Sequence, residues 1–214
     1  MDTDTEERAA EIVERLKDEY PEADTTLDFE TPYQLLVATI LSAQCTDERV
    51  NKVTPELFEE FSTAEDMAEA DIERIKDIIR STGFYNSKAE YIKDGAEIIV
   101  EEFDGELPRK MSDMTKLPGV GRKTANVVLS NAFAVDEGIA VDTHVQRLSQ
   151  RLELTDNESP EAIEDDLMEI IPEEDWRLVS HLLIYHGRAV CGARSPDCAN
   201  CVIEDMCPSS RVDG

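Results

Sequence analysis

Apolar residues recur along this chain at the three- and four-residue spacing of helices, and no run alternates apolar with polar for more than a few residues. The pattern predicts an all-α chain of about ten short helices. Thr31-Pro32-Tyr33-Gln34 reads as a helix start: Thr31 caps, Pro32 suits the first position, and Gln34 closes a capping box. The segment that follows, residues 32–45, is apolar nearly all round, which predicts a buried helix. Ser87-Lys88-Ala89-Glu90 reads as a second capping box, opening a helix that runs to residue 102 before Asp104-Gly105 breaks it. Ser159-Pro160 opens another helix, ending near residue 171. A further one over residues 175–186 is expected to stop at Gly187. No Ser/Gly linker, low-complexity run or solenoid repeat divides the chain.

Charge changes this picture more than size does. Asp and Glu number 49 against 21 Lys and Arg, giving a formal net charge of -28 over 214 residues. The acid is spread throughout, and 8 Lys stand against 13 Arg. Such a surface excludes a globally basic coat protein but not an enzyme with a local basic face. It suits a cytoplasmic protein of a halophile, where concentrated salt screens self-repulsion over a few ångströms. No stretch of about 20 apolar residues could span a membrane, and the acidic residues 1–7 do not read as a signal peptide.

Four of the five cysteines fall together as Cys191-x6-Cys198-x2-Cys201-x5-Cys207. Four thiolates so close in sequence can converge without long-range folding, and clustering of this kind points to a metal site rather than to disulfides. Soft sulfur ligands favour zinc or an iron–sulfur cluster, and the spacing alone leaves both open. Cys45 stands apart in an apolar segment and reads as a packed thiol.

Leu117-Pro118-Gly119-Val120-Gly121 joins two helical stretches, and its glycines let the backbone approach another molecule closely. The N–H groups of such a hairpin and of the helix after it form a phosphate site. Residues 109–135 hold Arg109, Lys110, Lys116, Arg122 and Lys123 against one acid, Asp113. Residues 185–196 hold Arg188 and Arg194 and no acid. These are the two places where a polyanion can land. Lys123 opens the helix after the hairpin. A lysine attacks only as the neutral amine, which neighbouring Arg122, partial burial and a helix N-terminus all favour; a phosphate contact is the alternative role. Asp142, in Val141-Asp142-Thr143-His144, is a carboxylate at a helix start, where capping is the common role. His144 reads by itself as a packing or capping histidine.

Taken in order, these motifs resemble the endonuclease III family of helix-hairpin-helix DNA glycosylase/AP lyases. The resemblance rests on Ile40-Leu41-Ser42-Ala43-Gln44-x-Thr46-Asp47, Gly83-Phe84-Tyr85-Asn86-Ser87-Lys88-Ala89, the hairpin with Arg122-Lys123-Thr124-Ala125, Val141-Asp142-Thr143-His144, His186-Gly187-Arg188 and the cysteine spacing. It covers nearly the whole chain. It implies a six-helix barrel over residues 25–135 containing the hairpin, and a helical [4Fe–4S] domain from residues 1–24 and 136–214, with a DNA cleft between them. The cluster's ligands would be Cys191, Cys198, Cys201 and Cys207. The implied activity is excision of oxidised pyrimidines from double-stranded DNA: the nucleotide is flipped out, Lys123 attacks C1′, a Schiff base forms, and β-elimination nicks the strand 3′ to the abasic site. Asp142 would handle protons and stabilise positive charge on the sugar. Gln44 and Phe84 match family positions that fill the gap in the duplex. Leu117, Gly119, Gly121, Arg122, Thr124, His144, Arg188 and Arg194 are the remaining DNA contacts expected, and the family comparison suggests a monomer.

Two departures stand out. The loop between Cys191 and Cys198, often strongly basic in the family, keeps Arg194 but carries Ser195 and Asp197, and the wider basic surface is replaced by acid. The alternative enzyme is a monofunctional mismatch-specific glycosylase. Adenine-excising relatives carry a further C-terminal domain that the seven residues after Cys207 do not accommodate, and other mismatch glycosylases lack a lysine at the position of Lys123. A non-catalytic DNA-binding module would need neither Lys123 nor Asp142.

Overall fold

A computed structural model describes residues 3–212 of the chain, and among them it is all-helical with no strand. Met1, Asp2, Asp213 and Gly214, which the sequence assigns to the ends of the cluster domain, lie outside the described residues. The helices are α1 (Thr3–Glu19), α2 (Pro32–Ser42), α3 (Asp47–Glu60), α4 (Ala64–Glu69), α5 (Ile72–Ile79), α6 (Tyr85–Phe103), α7 (Met111–Met114), α8 (Arg122–Phe133), α9 (Thr143–Arg151), α10 (Pro160–Ile170) and α11 (Trp176–Ala189). The chain forms two compact units. One is Thr26–Glu137; the other joins the residues up to Thr25 with those from Gly138 onward.

In the unit Thr26–Glu137, α2 is the central element. Leu35, Leu36, Val37, Ala38, Ile40 and Leu41 are all buried, as an apolar helix requires. It packs against α3, α6 and α8, while α4 and α5 close on α6. Thr31 caps α2 as expected, accepting from the Gln34 N–H. The Gln34 side chain returns to the N–H of Glu30, one residue before the expected partner. The helix ends at Ser42, not at residue 45: Ala43 leaves the helical region at ψ 113°, and Gln44 then turns left-handed.

The start of α6 differs from the expected capping box. The helix begins at Tyr85, and Phe84 occupies the capping position in the left-handed region, at φ 48°, with no side-chain cap. Ser87 lies inside the first turn, and the N–H of Lys88 bonds the carbonyl of Phe84. At the far end Asp104 and Gly105 turn left-handed, the C-terminal stop that the Asp-Gly pair announces.

In the other unit, α11 packs against α1 and α9, and α10 against α1 and α9. Ser159 caps α10 by accepting from Ala162, as the Ser-Pro pair predicts. Gly187 does not stop α11, which runs on to Ala189. The glycine is there for close packing: a Cβ on it would stand 2.8 Å from His144 Nδ1 and 2.9 Å from a guanidinium nitrogen of Arg147. The first helix belongs to this core through Ala9, Ile12, Val13 and Leu16. Arg8 donates to the carbonyls of Leu152 and Glu153.

Leu16 is fully buried. Leu16→Ala is expected to lower the unfolding free energy of this unit by about 3 kcal/mol, the usual cost of an unfilled leucine site. Urea unfolding followed by the fluorescence of Trp176, the chain's one tryptophan and a member of the same core, measures it.

Candidate active site and sulfur pocket

The hairpin is fixed from below by its apolar residues. Leu117 and Val120 are buried, and the Val120 N–H closes the turn on the Leu117 carbonyl at 3.1 Å. Gly119 sits between them at φ 75°, in the region that favours glycine. A Cβ there would stand 2.7 Å from the ring of Tyr91, which projects from α6 beneath the turn. Gly95, one turn further along α6, lies under Pro118. The hairpin therefore rests on one face of α6. Gly121 is different: a Cβ on it would meet nothing within 4 Å. It begins α8 with no side-chain cap. The first N–H groups of α8 have no partner within the helix and no capping side chain from Gly121, and a helix start of this kind is the arrangement that suits an anion.

Lys123 stands exposed in the first turn of that helix. The helix N-terminus and neighbouring Arg122 are both present beside it. Arg122 reaches the carbonyl of Glu137 at 3.4 Å, and Thr124 is half-buried. Three of the five basic residues of this segment have local partners, Arg122 among them. Arg109 stacks on Phe133, 4.8 Å from the ring centre, and Lys116 pairs with Asp113 at 2.8 Å.

Two further loops of this unit present the predicted wedges. Gln44 follows α2 and Phe84 precedes α6. Both side chains are exposed, Phe84 by 67%, and both residues are left-handed, at φ 54° and 48°. A non-glycine residue held in that region costs of order 1 kcal/mol or more, so neighbouring structure must enforce it. An aromatic ring left so exposed is the informative exception to burial.

In the other unit, Asp142 caps α9. Its Oδ1 accepts from the N–H groups of His144 and Val145, at 2.7 and 2.8 Å. The capping role read from sequence is therefore real, and it also fixes the carboxylate in one orientation. His144 lies beside Arg147, Nδ1 to guanidinium 3.1 Å. Arg188 and Arg194 are both exposed.

The four clustered cysteines line a single pocket, walled by Leu148, Leu152, Val190 and Ile203 and flanked by Arg151 and His186. None of the five cysteines forms a disulfide. Burial and the neighbouring thiols raise the pKa of Cys201 and Cys207, so the sulfur atoms influence one another directly. Arg151 donates to Cys191 Sγ at 3.1 Å and to the carbonyls of Gly192 and Ala193. His186 is buried, its pKa pulled down to about 4 by desolvation. Its Nε2 lies 3.3 Å from Cys201 Sγ and its Nδ1 3.0 Å from the Tyr20 hydroxyl on the segment after α1. Among the described residues no group of His, Cys, Asp or Glu is drawn together closely enough to hold a single metal ion.

Sequence reasoning missed Lys88, Tyr91, Arg151 and the contact of His186 with Cys201. Lys88 carried a signal: it interrupts the apolar stripe that buries Ala89, Ile92, Ala96 and Ile99. The others are set by tertiary packing and have no local pattern.

Residues 37–173 match the family model of the HhH-GPD superfamily of base excision DNA repair proteins. The chain belongs to this family. It is 55% identical to endonuclease III of Synechocystis sp. over 96% of its length and 94% of the relative's. It is 44% identical to endonuclease III of Escherichia coli, over 92% of the chain and 93% of the relative. Among solved structures, a non-covalent endonuclease III–DNA complex and a trapped endonuclease III–DNA covalent intermediate each superpose with a TM-score of 0.90 at 41% identity, covering 98% of this chain and 97% of theirs. The all-helical helix-hairpin-helix fold expected from the sequence is thereby established.

Gly119→Ala is expected to weaken binding to duplex DNA about tenfold. A left-handed alanine costs about 1 kcal/mol or more, and its Cβ collides with Tyr91. Fluorescence anisotropy with a labelled duplex measures the loss, and Gly121→Ala, in open space, serves as the milder comparison.

Proposed function

We propose that this protein is a base-excision repair DNA glycosylase with AP lyase activity toward oxidised pyrimidines in double-stranded DNA. The observation that carries the reading is Lys123 in the uncapped first turn of α8, behind a glycine hairpin, in a chain this similar to enzymes of that name. The hairpin amides and the α8 N-terminus hold a backbone phosphate, and Arg122 and Thr124 add contacts at the same end. Gln44 and Phe84 enter the gap left when the nucleotide leaves the stack. The Lys123 amine attacks C1′, the glycosidic bond breaks, and the base departs with its electron pair. Loss of a proton from nitrogen and opening of the sugar ring give the imine. The imine acidifies the C2′ hydrogen, and removal of that proton expels the 3′ phosphate. Asp142, its orientation fixed by two backbone amides, stabilises positive charge on the sugar and passes protons. His144, Arg188 and Arg194 contact the backbone from the unit that carries Asp142.

The four cysteines fit a [4Fe–4S] cluster. The donor set is all sulfur, the walls are apolar, and Arg151 and His186 supply the hydrogen bonds to sulfur that tune such centres. Cys191, Cys198, Cys201 and Cys207 would hold the group, and their ligation would cross-link the loops after α11. With Cys201 ligating as a thiolate, His186 would donate to it from Nε2 and accept from the Tyr20 hydroxyl at Nδ1. The acidic surface fits a protein working as a monomer in the cytoplasm at high salt, where phosphate binding rests on neutral backbone donors.

Borohydride trapping on duplex DNA with one thymine glycol or abasic site tests the chemistry. Wild type is expected to give a covalent adduct that survives molar KCl. Lys123→Ala should give none, and Asp142→Asn should slow its formation at least a hundredfold. Base release without any adduct would instead mark the monofunctional alternative. The cofactor has its own check. The purified protein is expected to be yellow-brown, with iron and acid-labile sulfide in equal amounts. Cys198→Ser should bleach it, and stoichiometric zinc in a colourless active protein would refute the cluster.

A further inference from the structure

Lys88 is buried to 3% exposure, in the second turn of α6, among apolar neighbours. Its ammonium donates to the Leu41 carbonyl at 2.7 Å and to the Thr82 carbonyl at 2.9 Å. Its own N–H donates to the Phe84 carbonyl at 3.1 Å. These acceptors are not arbitrary. Leu41 lies in the last turn of α2, three residues before Gln44. Thr82 ends the 3₁₀ turn Arg80–Thr82, two residues before Phe84. Carbonyls at helix ends have no partner within the helix. A buried ammonium is costly unless hydrogen-bonded, and burial here pulls its pKa below the ordinary lysine value. A methionine or leucine would satisfy the packing alone, so the amine has another reason to be there.

We propose that Lys88 is a positioning residue that ties the Gln44 loop to the Phe84 loop, so that both left-handed turns hold their wedge side chains at one fixed spacing. The two loops are 40 residues apart in sequence and share no other bond of this kind among those seen. Tied together, they enter a duplex as one preorganised element. Untied, each must be ordered on binding, and that ordering is taken from the affinity. The inference rests on the reading of Gln44 and Phe84 as gap-filling residues. Lys88 touches neither DNA nor the reacting atoms in this proposal.

The test is a double-mutant comparison on the full-length, cluster-loaded protein. The probe for binding is a duplex with a tetrahydrofuran abasic analogue, read by anisotropy. The probe for chemistry is borohydride trapping on a single-stranded abasic oligonucleotide, which has no duplex gap to fill. Lys88→Met is expected to bind the duplex about tenfold more weakly while trapping the single strand at the wild-type rate. Lys88→Arg, which can still reach both carbonyls, should recover most of the binding. In a Gln44→Ala/Phe84→Ala background, Lys88→Met should cost nothing further. If Lys88→Met does not fold, Lys88→Gln, able to reach one carbonyl, carries the same comparison. Undiminished duplex binding by a folded Lys88→Met, an equal loss on single and double strands, or a full loss in the wedge-less background would each overturn the proposal. Wild-type binding by Gln44→Ala/Phe84→Ala would overturn the gap-filling reading and the proposal with it, whereas a defect there with none in Lys88→Met overturns the proposal alone.

Discussion

A helix leaves its first four N–H groups without partners, and a chain built from short helices meets that problem at every turn. Most starts here are closed by a hydroxyl or carboxylate: Thr31, Thr46, Thr63, Asp71, Asp142 and Ser159 each accept from the turn they begin. Two starts that the proposed function assigns to DNA are not. The first turn of α6 follows a left-handed Phe84, and that of α8 follows Gly121, neither with a side-chain cap. A capping group contributes about 1 kcal/mol; α7 and α11 also start without one, but at α6 and α8 the proposed function gives the open start a use. At α8, in the function proposed above, that use is to hold a backbone phosphate. At α6 it is the outward aim of an aromatic ring.

The same argument explains how so acidic a chain can hold a polyanion. Binding through lysine and arginine is driven by counterion release and falls steeply with salt. The basic residues near the hairpin are few, and three of them are engaged locally, Arg109 on Phe133, Lys116 on Asp113 and Arg122 on the Glu137 carbonyl. Neutral donors release fewer counterions and lose less when salt rises. A site made of amide N–H groups, a helix terminus and inserted side chains therefore suits a net charge of -28 better than a basic patch would. The cost moves to geometry, because neutral donors act over hydrogen-bond distances and must be held in place. Tyr91 under Gly119, Gly95 under Pro118 and Lys88 between two loops are the parts that hold them.

What was legible in the sequence follows from the range of each interaction. Caps are local, so Thr31 and Ser159 could be read from four residues each. The hairpin and the cysteine spacing are local too. Ser87 misled because a capping box is a pattern of residue types, and the same types fit inside a first turn when the preceding residue turns left-handed. Gly187 misled for a related reason. Glycine ends helices by its backbone freedom and permits close packing by its missing Cβ, and only the approach of α9 tells the two apart. Lys88 and the His186–Cys201 contact required partners at separations of 47 and 15 residues. Polarity inside an apolar stripe announces that a partner exists without saying which.

The sulfur pocket shows how such long-range partners can bind the order of the chain together. Tyr20 follows the first helix, His186 sits in the last turns of α11, and Cys201 lies in the terminal loops; one hydrogen-bonded line runs through all three. The loops after α11 are short 3₁₀ turns with few apolar residues and could not order themselves by burial. With the proposed cluster bound, they would gain order through their thiols. Arg151 would gain order with them, since its guanidinium holds Cys191 Sγ and two carbonyls of the first loop while its own helix begins at Asp142. Nine residues of α9 thus join the sulfur pocket at one end to the capped carboxylate at the other. A group that fixed the thiols would also fix the helix that Asp142 caps, and if Asp142 has the role proposed for it, this is the physical route by which a sulfur-held centre would influence the chemistry.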